Sequence, residues 1–289
     1  MEASETTSPV VARRRLRTEL RRARLDVGVT QEQVATAMDW SLSKLIRIEN
    51  GSTVGISMND LKAILAYYKI TDEARTAELI ALSRRARERS WWNDYRDMSP
   101  RLVQLIEYES ASFIIRNFQP LLIPGLLQTE QYATAVMRNY SPQATEQEVK
   151  TGIEIRMKRQ QVLQQPDMPL MFFIMDEAAV RRLVGGQEAM RHQIERLLDE
   201  SDKPTVTIEV VPFSAGAHPG MQGSFMLFEF PDAEDDDALY LEGPSDIRLN
   251  RDDAEEISSF RERFEVLREL SLGPQGSADL LRLLLSELA

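Results

Sequence analysis

Read from the N-terminus, apolar residues first recur at helical spacing. Leu16, Leu20 and Leu25 form a stripe among the arginines of Val11 to Leu25, which predicts an amphipathic first helix. Thr30, with Gln33 three residues on, makes a capping box, so a second helix starts there with Val34, Ala35 and Met38 inward. Asp39 and Trp40 interrupt the pattern, and Ser41 is placed to cap a third helix that Gly51 closes. At about 100° per residue, Leu42, Leu45 and Ile48 share one side of this helix. Ser43, Arg47 and Asn50 fall on the other side, with Lys44 beside them. Helices over Ser57 to Tyr68 and from Thr71 or Asp72 through Leu82 complete five helices near residue 83.

The periodicity then changes. Residues 84–98 are highly charged and poor in aliphatics, a helical linker in which Trp91 and Trp92 announce new packing. Ser99-Pro100 reads as a cap and a first-turn proline opening a helix with Leu102, Leu105, Ile106 and Phe113. Helices are also predicted from Thr129 through Arg138 and over Glu146 to Gln164. Beyond them lie four β-rich runs bounded by Pro, Gly and Asp: Leu170 to Asp176, Thr205 to Phe213, Ser224 to Phe230 and Ala238 to Gly243. Helices fall between the first two runs and after the last. The expected fold is α+β: an all-α five-helix domain over 11–83 after a disordered tail at 1–10, then a mixed α/β domain over 99–289 with about four strands.

Charge sharpens this division. The chain has 289 residues and a net charge of −11, yet residues 11–25 hold seven arginines against the single acid Glu19. That stretch carries +6 and the remainder −17, the signature of a basic contact module on an acidic body. With no cysteine, disulfides, thiol nucleophiles and cysteine-ligated metals are excluded. No apolar run approaches the ~18 residues of a membrane span, and a cytoplasmic location is expected. A short helix whose wet face combines Ser, Lys, Arg and Asn, held by a preceding helix through a tight turn, suits a DNA major groove.

The run "TQEQVATAMDWSLSKLIRIENG" resembles the helix-turn-helix of phage-repressor-class bacterial regulators, with Val34, Ala35, Leu45, Ile48, Glu49 and Gly51 on its structural positions. Asp39 stands where glycine is common; Asp tolerates the left-handed conformation. The resemblance implies that Gln31 holds a phosphate, that Ser43, Lys44 and Arg47 face base edges, and that Asn50 bonds the backbone beyond. Leu42 stands at a position that often contacts bases in such repressors, which implies contact with a thymine methyl, but the helical wheel puts it near the core and burial is favoured. The segments "LIPGLLQTEQYA", "RMKRQ", "DEAAVRRLVGG" and "VPFSAGAHPGMQGSF" are similar to the C-terminal domain of WhiJ-like, Scr1-type antitoxin-like actinobacterial regulators. This implies a transcriptional regulator, with a small partner protein encoded nearby. The expected partners are a double-stranded DNA operator, a second copy of the chain as homodimer, that small protein, and a small-molecule effector; no cofactor or metal is expected.

In the body, Arg156, Arg159, Gln160, Glu177, His218 and Glu242 form a candidate ligand or partner site, with surface ion pairing as the competing explanation. Asp176 and Glu177 end a strand, where carboxylates either work as acid and base or cap the next helix; capping is favoured. One loop histidine without cysteine makes a poor metal site. "DAEDDD" lacks the ligand alternation of an EF-hand loop, and no Gly-x-Ser-x-Gly elbow occurs. The chain is therefore expected not to be an enzyme. The minor alternatives are a partner-sequestered antitoxin-like switch and a small-molecule enzyme using Glu177 and His218.

Overall fold

The computed structural model describes residues 9–49, 56–95, 98–165, 168–230, 237–242, 247–250 and 253–288. The chain forms two compact units, residues 1–111 and 112–289. The first contains α1 (Pro9–Asp26), α2 (Gln31–Ala37), α3 (Leu42–Glu49), α4 (Met58–Tyr67), α5 (Glu73–Ala86) and α6 (Pro100–Ala111). Leu16 and Leu20 of α1, Val34 of α2, Leu45 and Ile48 of α3, and aliphatics of α4 and α5 share one core. Leu25, expected in the first stripe, is half exposed at the C-terminal end of α1. The helix also begins two residues earlier than expected, at Pro9.

The first unit runs past the expected boundary at residue 83. Helix α5 ends at Ala86 and a single 3-10 turn follows at Trp91–Asp94, so 84–98 is not a continuous helical linker. Helix α6 packs on α1: Arg14 Nη1 donates to Ala111 O at 2.6 Å, and Arg13 pairs with Glu107 at 3.9 Å. Ser99 Oγ accepts from Leu102 N, as its capping role requires. Phe113, expected inside this helix, lies beyond its end and is exposed.

Among the described residues the second unit is built on a sheet of six strands, two more than the apolar runs of the sequence mark. They are β1 (Ile114–Gln119), β2 (Leu170–Asp176), β3 (Val206–Val211), β4 (Ser224–Glu229), β5 (Ala238–Glu242) and β6 (Ile247–Asn250). Their order is β3-β2-β1-β4-β5-β6. The β3, β2 and β1 half is parallel and the other pairings are antiparallel. Between strands lie α7 (Glu130–Tyr140), α8 (Glu146–Arg159), α9 (Glu177–Arg181) and α10 (Gln187–Ser201); α11 (Ala254–Leu270) and α12 (Gly273–Glu287) close the unit.

Strand β1 sits fourth from one edge and third from the other, so its neighbours decide its conformation. Its register places Arg116 between Phe172 and Leu227, and Phe118 between Ile174 and Phe225. These residues face Ile257, Phe264 and Leu267 of α11. Arg116 is accepted on this apolar face because it binds Glu229 at 2.6 Å and Glu265 at 3.0 Å, and lies over the Phe172 and Phe264 rings. At the outer strand β3, Val210 N donates to Ser277 Oγ at 2.8 Å and Leu272 N donates to Val210 O at 2.9 Å. The start of α12 thereby occupies main-chain groups that an edge strand otherwise leaves bare.

Candidate nucleic-acid interface

Local chemistry positions α3. Thr30 Oγ1 accepts from Gln33 N at 3.2 Å and Gln33 Oε1 accepts from Thr30 N at 2.8 Å, the reciprocal box that starts α2. The turn after it needs one left-handed residue, and Asp39 supplies it with φ 56°. Trp40 N then donates back to Ala35 O at 2.9 Å, and Ser41 Oγ accepts from Lys44 N at 3.2 Å. Behind α3, Glu49 is buried and joins three helices. Arg24 of α1 donates to both its oxygens, at 2.7 and 3.1 Å, and Gln31 Nε2 of α2 donates at 2.7 Å. The neighbouring Tyr68 hydroxyl is held far above its ordinary pKa by burial and by the Glu49 charge, so it stays a neutral phenol.

Helix α3 turns Leu45, Ile48 and Glu49 inward. Its exposed arc carries Ser43 and Arg47, as the sequence predicts, and Arg47 Nε donates to Ser43 O at 3.2 Å. Leu42 departs from expectation: it is 42% exposed, and Ile46 is 37% exposed. Leu42 is the first residue of the helix, ahead of the turn whose Leu45 meets the core, so sharing a wheel sector with Leu45 does not bury it. Lys44 is half-buried. Its Nζ sits 3.0 Å from Asp60 Oδ2 of α4 and 4.0 Å from the centre of the Trp40 ring, a clamp between α3 and α4. Asn50 lies outside the described residues.

The seven arginines of α1 are not equally available. Arg14 and Arg24 are buried on Ala111 O and Glu49, and Arg13 and Arg15 reach Glu107 and Glu78. Arg22 is exposed. Counting residues thus overstates the cationic surface that α1 offers.

In the second unit the candidate residues divide into separate groups. Gln160 is buried, and its Nε2 donates to Gly125 O at 3.0 Å and Gln128 O at 2.7 Å. Arg156 donates to Gln128 Oε1, and Gln128 Nε2 donates to Ile123 O at 2.7 Å. The Arg159 guanidinium lies against Gly125, where a Cβ would come 3.0 Å from Nη2. Two residues that sequence reasoning missed complete the set: Gln193, which bonds Leu127 O and Thr129 N, and Tyr132, whose oxygen accepts from Ile123 N. Burial pushes the Tyr132 phenol up to about 12. Together these side chains satisfy the backbone of the "IPGLLQT" loop after β1, a service that buried carbonyls require.

Glu177 and His218 form the second group, at the ends of β2 and β3. Glu177 accepts from Arg181 Nε at 2.5 Å and from Phe213 N at 2.7 Å. His218 Nε2 lies 3.0 Å from Asp176 Oδ2, while Asp176 Oδ1 caps α9 through Ala178 N at 2.7 Å. Capping therefore belongs to Asp176, and Glu177 instead anchors the loop after β3. Glu242 stands apart, exposed at the end of β5 opposite Ser224. The six residues do not converge on one site. Among the described residues no helix is long and apolar enough to cross a membrane, and no cluster of three or more His, Asp or Glu could hold a metal ion.

Residues 102–283 match the family described as domain of unknown function DUF5753, and residues 15–79 match the description helix-turn-helix domain. No curated protein and no solved structure matches the chain.

Proposed function

The chain belongs to the DUF5753 family, and on that premise we propose that it is a sequence-specific DNA-binding transcriptional regulator of the WhiJ-like kind. The helix-turn-helix unit binds DNA through α3, and the DUF5753 unit dimerises the chain or receives a signal from a small protein or ligand. The observation that carries this reading is the outer face of α3. Ser43 and Arg47 stand exposed on a helix whose opposite side is locked into the core by Leu45, Ile48 and the Arg24–Glu49 pair. A rigid helix with an outward guanidinium is suited to hold guanine O6 and N7 in the major groove. Dimeric binding places two such helices about 34 Å apart on an inverted repeat.

The second unit supports a regulatory rather than catalytic role, because Glu177, Gln160 and Arg156 are spent on the chain's own loops. Enrichment of bound DNA from a random pool, followed by gel-shift titration, tests the proposal. The full chain should enrich an inverted repeat, and Arg47→Ala should lose preference at one base pair per half-site. Enrichment of no sequence would overturn it. Co-purification with the product of an adjacent small gene would assign the second unit its partner.

A further inference from the structure

Strand order forces one connection across the end of the sheet. With the strands arranged β3-β2-β1-β4 and β4 antiparallel to β1, the chain leaving β3 must pass the carboxyl ends of β2 and β1 before β4 begins at Ser224. In open sheets this is the end where ligands settle, beside the strand at which the order reverses. Here residues 216–223 cross it. Gly216 and Gly223, with φ of 69° and 134°, bound the segment, a backbone region that suits glycine. Met221 N and Gly223 N donate within it, to His218 O and Gly220 O, both at 3.2 Å. Apart from the His218 side chain, Gly220 is its one buried residue, and Met221 is 69% exposed. A segment that places so little apolar surface in the core opens at low cost.

What holds the segment down is a ring. The His218 side chain, 3% exposed, meets Phe118 of β1 edge-on, with ring centres 6.1 Å apart and planes at 78°. Its Nε2 lies 3.0 Å from Asp176 Oδ2 at the end of β2. Among the described residues its buried Nδ1 has no hydrogen-bond partner, which costs free energy in either protonation state. Resting on the reading of the second unit as the receiver of a ligand signal, we infer that residues 216–223 are a lid and that the His218 ring stands in for a ligand. The place it fills, between Phe118 and Asp176 Oδ2, binds a small planar heterocycle with a ring N–H. Such a ligand packs on the Phe118 ring and donates to the same carboxylate oxygen. With the lid lifted its outer edge faces water, so it escapes the penalty that buried Nδ1 carries. Gly220 marks the surface to be gained: it lies so close to Phe118 that a Cβ would stand 2.3 Å from Cζ, and lifting the lid bares that ring. Asp176 keeps its position meanwhile, because its Oδ1 accepts from Ala178 N at 2.7 Å. The lid's bond from Arg263 Nη1 to Gln222 Oε1, at 2.8 Å, is exposed and exchanges for water.

The test uses the full-length chain with indole as probe and 1-methylindole, which lacks the N–H, as control. Indole should speed amide hydrogen exchange across residues 216–223 severalfold, and 1-methylindole should not. His218→Ala removes the competing ring, so this variant should bind indole about tenfold more tightly than the parent. Indole that leaves exchange in the lid unchanged, or 1-methylindole that opens it equally, overturns the inference. Tighter binding to His218→Ala without faster lid exchange in the parent overturns it too, since the variant's cavity alone then accounts for the binding. Because the exchange comparison is made on the parent, it stands even if the variant fails to fold. Selection of DNA is measured on the same protein. If the lid does not respond while an inverted repeat is still enriched, the inference falls and the DNA-binding reading survives. If indole opens the lid and DNA affinity does not change, the site stands and its place in signalling falls.

Discussion

On α3, Ser43 and Arg47 face outward, and the backbone oxygen of Ser43 accepts from the arginine. In the second unit, Gln160 and Gln193 turn inward, and each bridges main-chain groups more than thirty positions away in sequence. Both sets are polar residues of helical segments, and residue type alone does not tell them apart. What separates them is where the side chains lie. The donors of Gln160 and Gln193 go to main-chain carbonyls of the loop after β1, so these side chains contribute to stability. Arg47 instead stands exposed on α3, where the proposed function gives it a base to contact.

Substitutions can break this distinction or sharpen it. The largest effect is expected at Glu49, an inward residue of the same helix as Arg47. Glu49→Ala leaves the Arg24 guanidinium buried without its carboxylate and should destabilise the first unit by ~3–5 kcal/mol, read by urea denaturation. Gln160→Ala strips the Gly125 and Gln128 carbonyls of their partner and should cost ~1–3 kcal/mol. It should lower the unfolding midpoint of the second unit and leave the preferred DNA sequence unchanged. Arg47→Ala should do the converse, losing ~1–3 kcal/mol of base discrimination with a melting curve close to the parent's. The smallest effect is expected for Lys44→Gln, which releases a partly exposed pair worth at most ~1 kcal/mol. Since Lys44 clamps α3 to α4, base preference should persist and stability should fall slightly. An Arg47 variant that unfolds the protein, or a Gln160 variant that changes the enriched sequence, would erase the contrast.

The parts legible in the sequence are those settled within a few residues. The Thr30–Gln33 box, the left-handed Asp39 and the Ser41 cap all act over three positions or fewer, and each is found where the sequence predicts it. Strands β2 to β5 were similarly plain, being apolar runs between turn residues. Strand β1 was hidden because "IIRNFQ" interrupts its apolar run with Arg116 and Asn117. Its extended form depends on partners near residues 170 and 228, and its arginine on Glu229 and Glu265. The short β6 was missed as well; among the described residues its strand partner is β5. At the candidate sites, the exposed position of Ser43 and Arg47 follows from periodicity alone. The capture of Lys44 by Asp60 and the pairing of His218 with Asp176 cross 16 and 42 positions. No local pattern announces either contact. Leu42, for which the wheel favours burial over base contact, is 42% exposed at the first position of α3.

The seal that α12 places on β3 has a consequence for assembly. A foreign chain seeking to join the sheet by strand donation at that margin would meet Val210 with both main-chain groups already engaged. It would first have to peel away Ser277 and Leu272. Template-directed growth from this flank, a hazard of any bare sheet edge, is therefore opposed by α12. Trimming that helix should reopen the route and make the protein prone to aggregate.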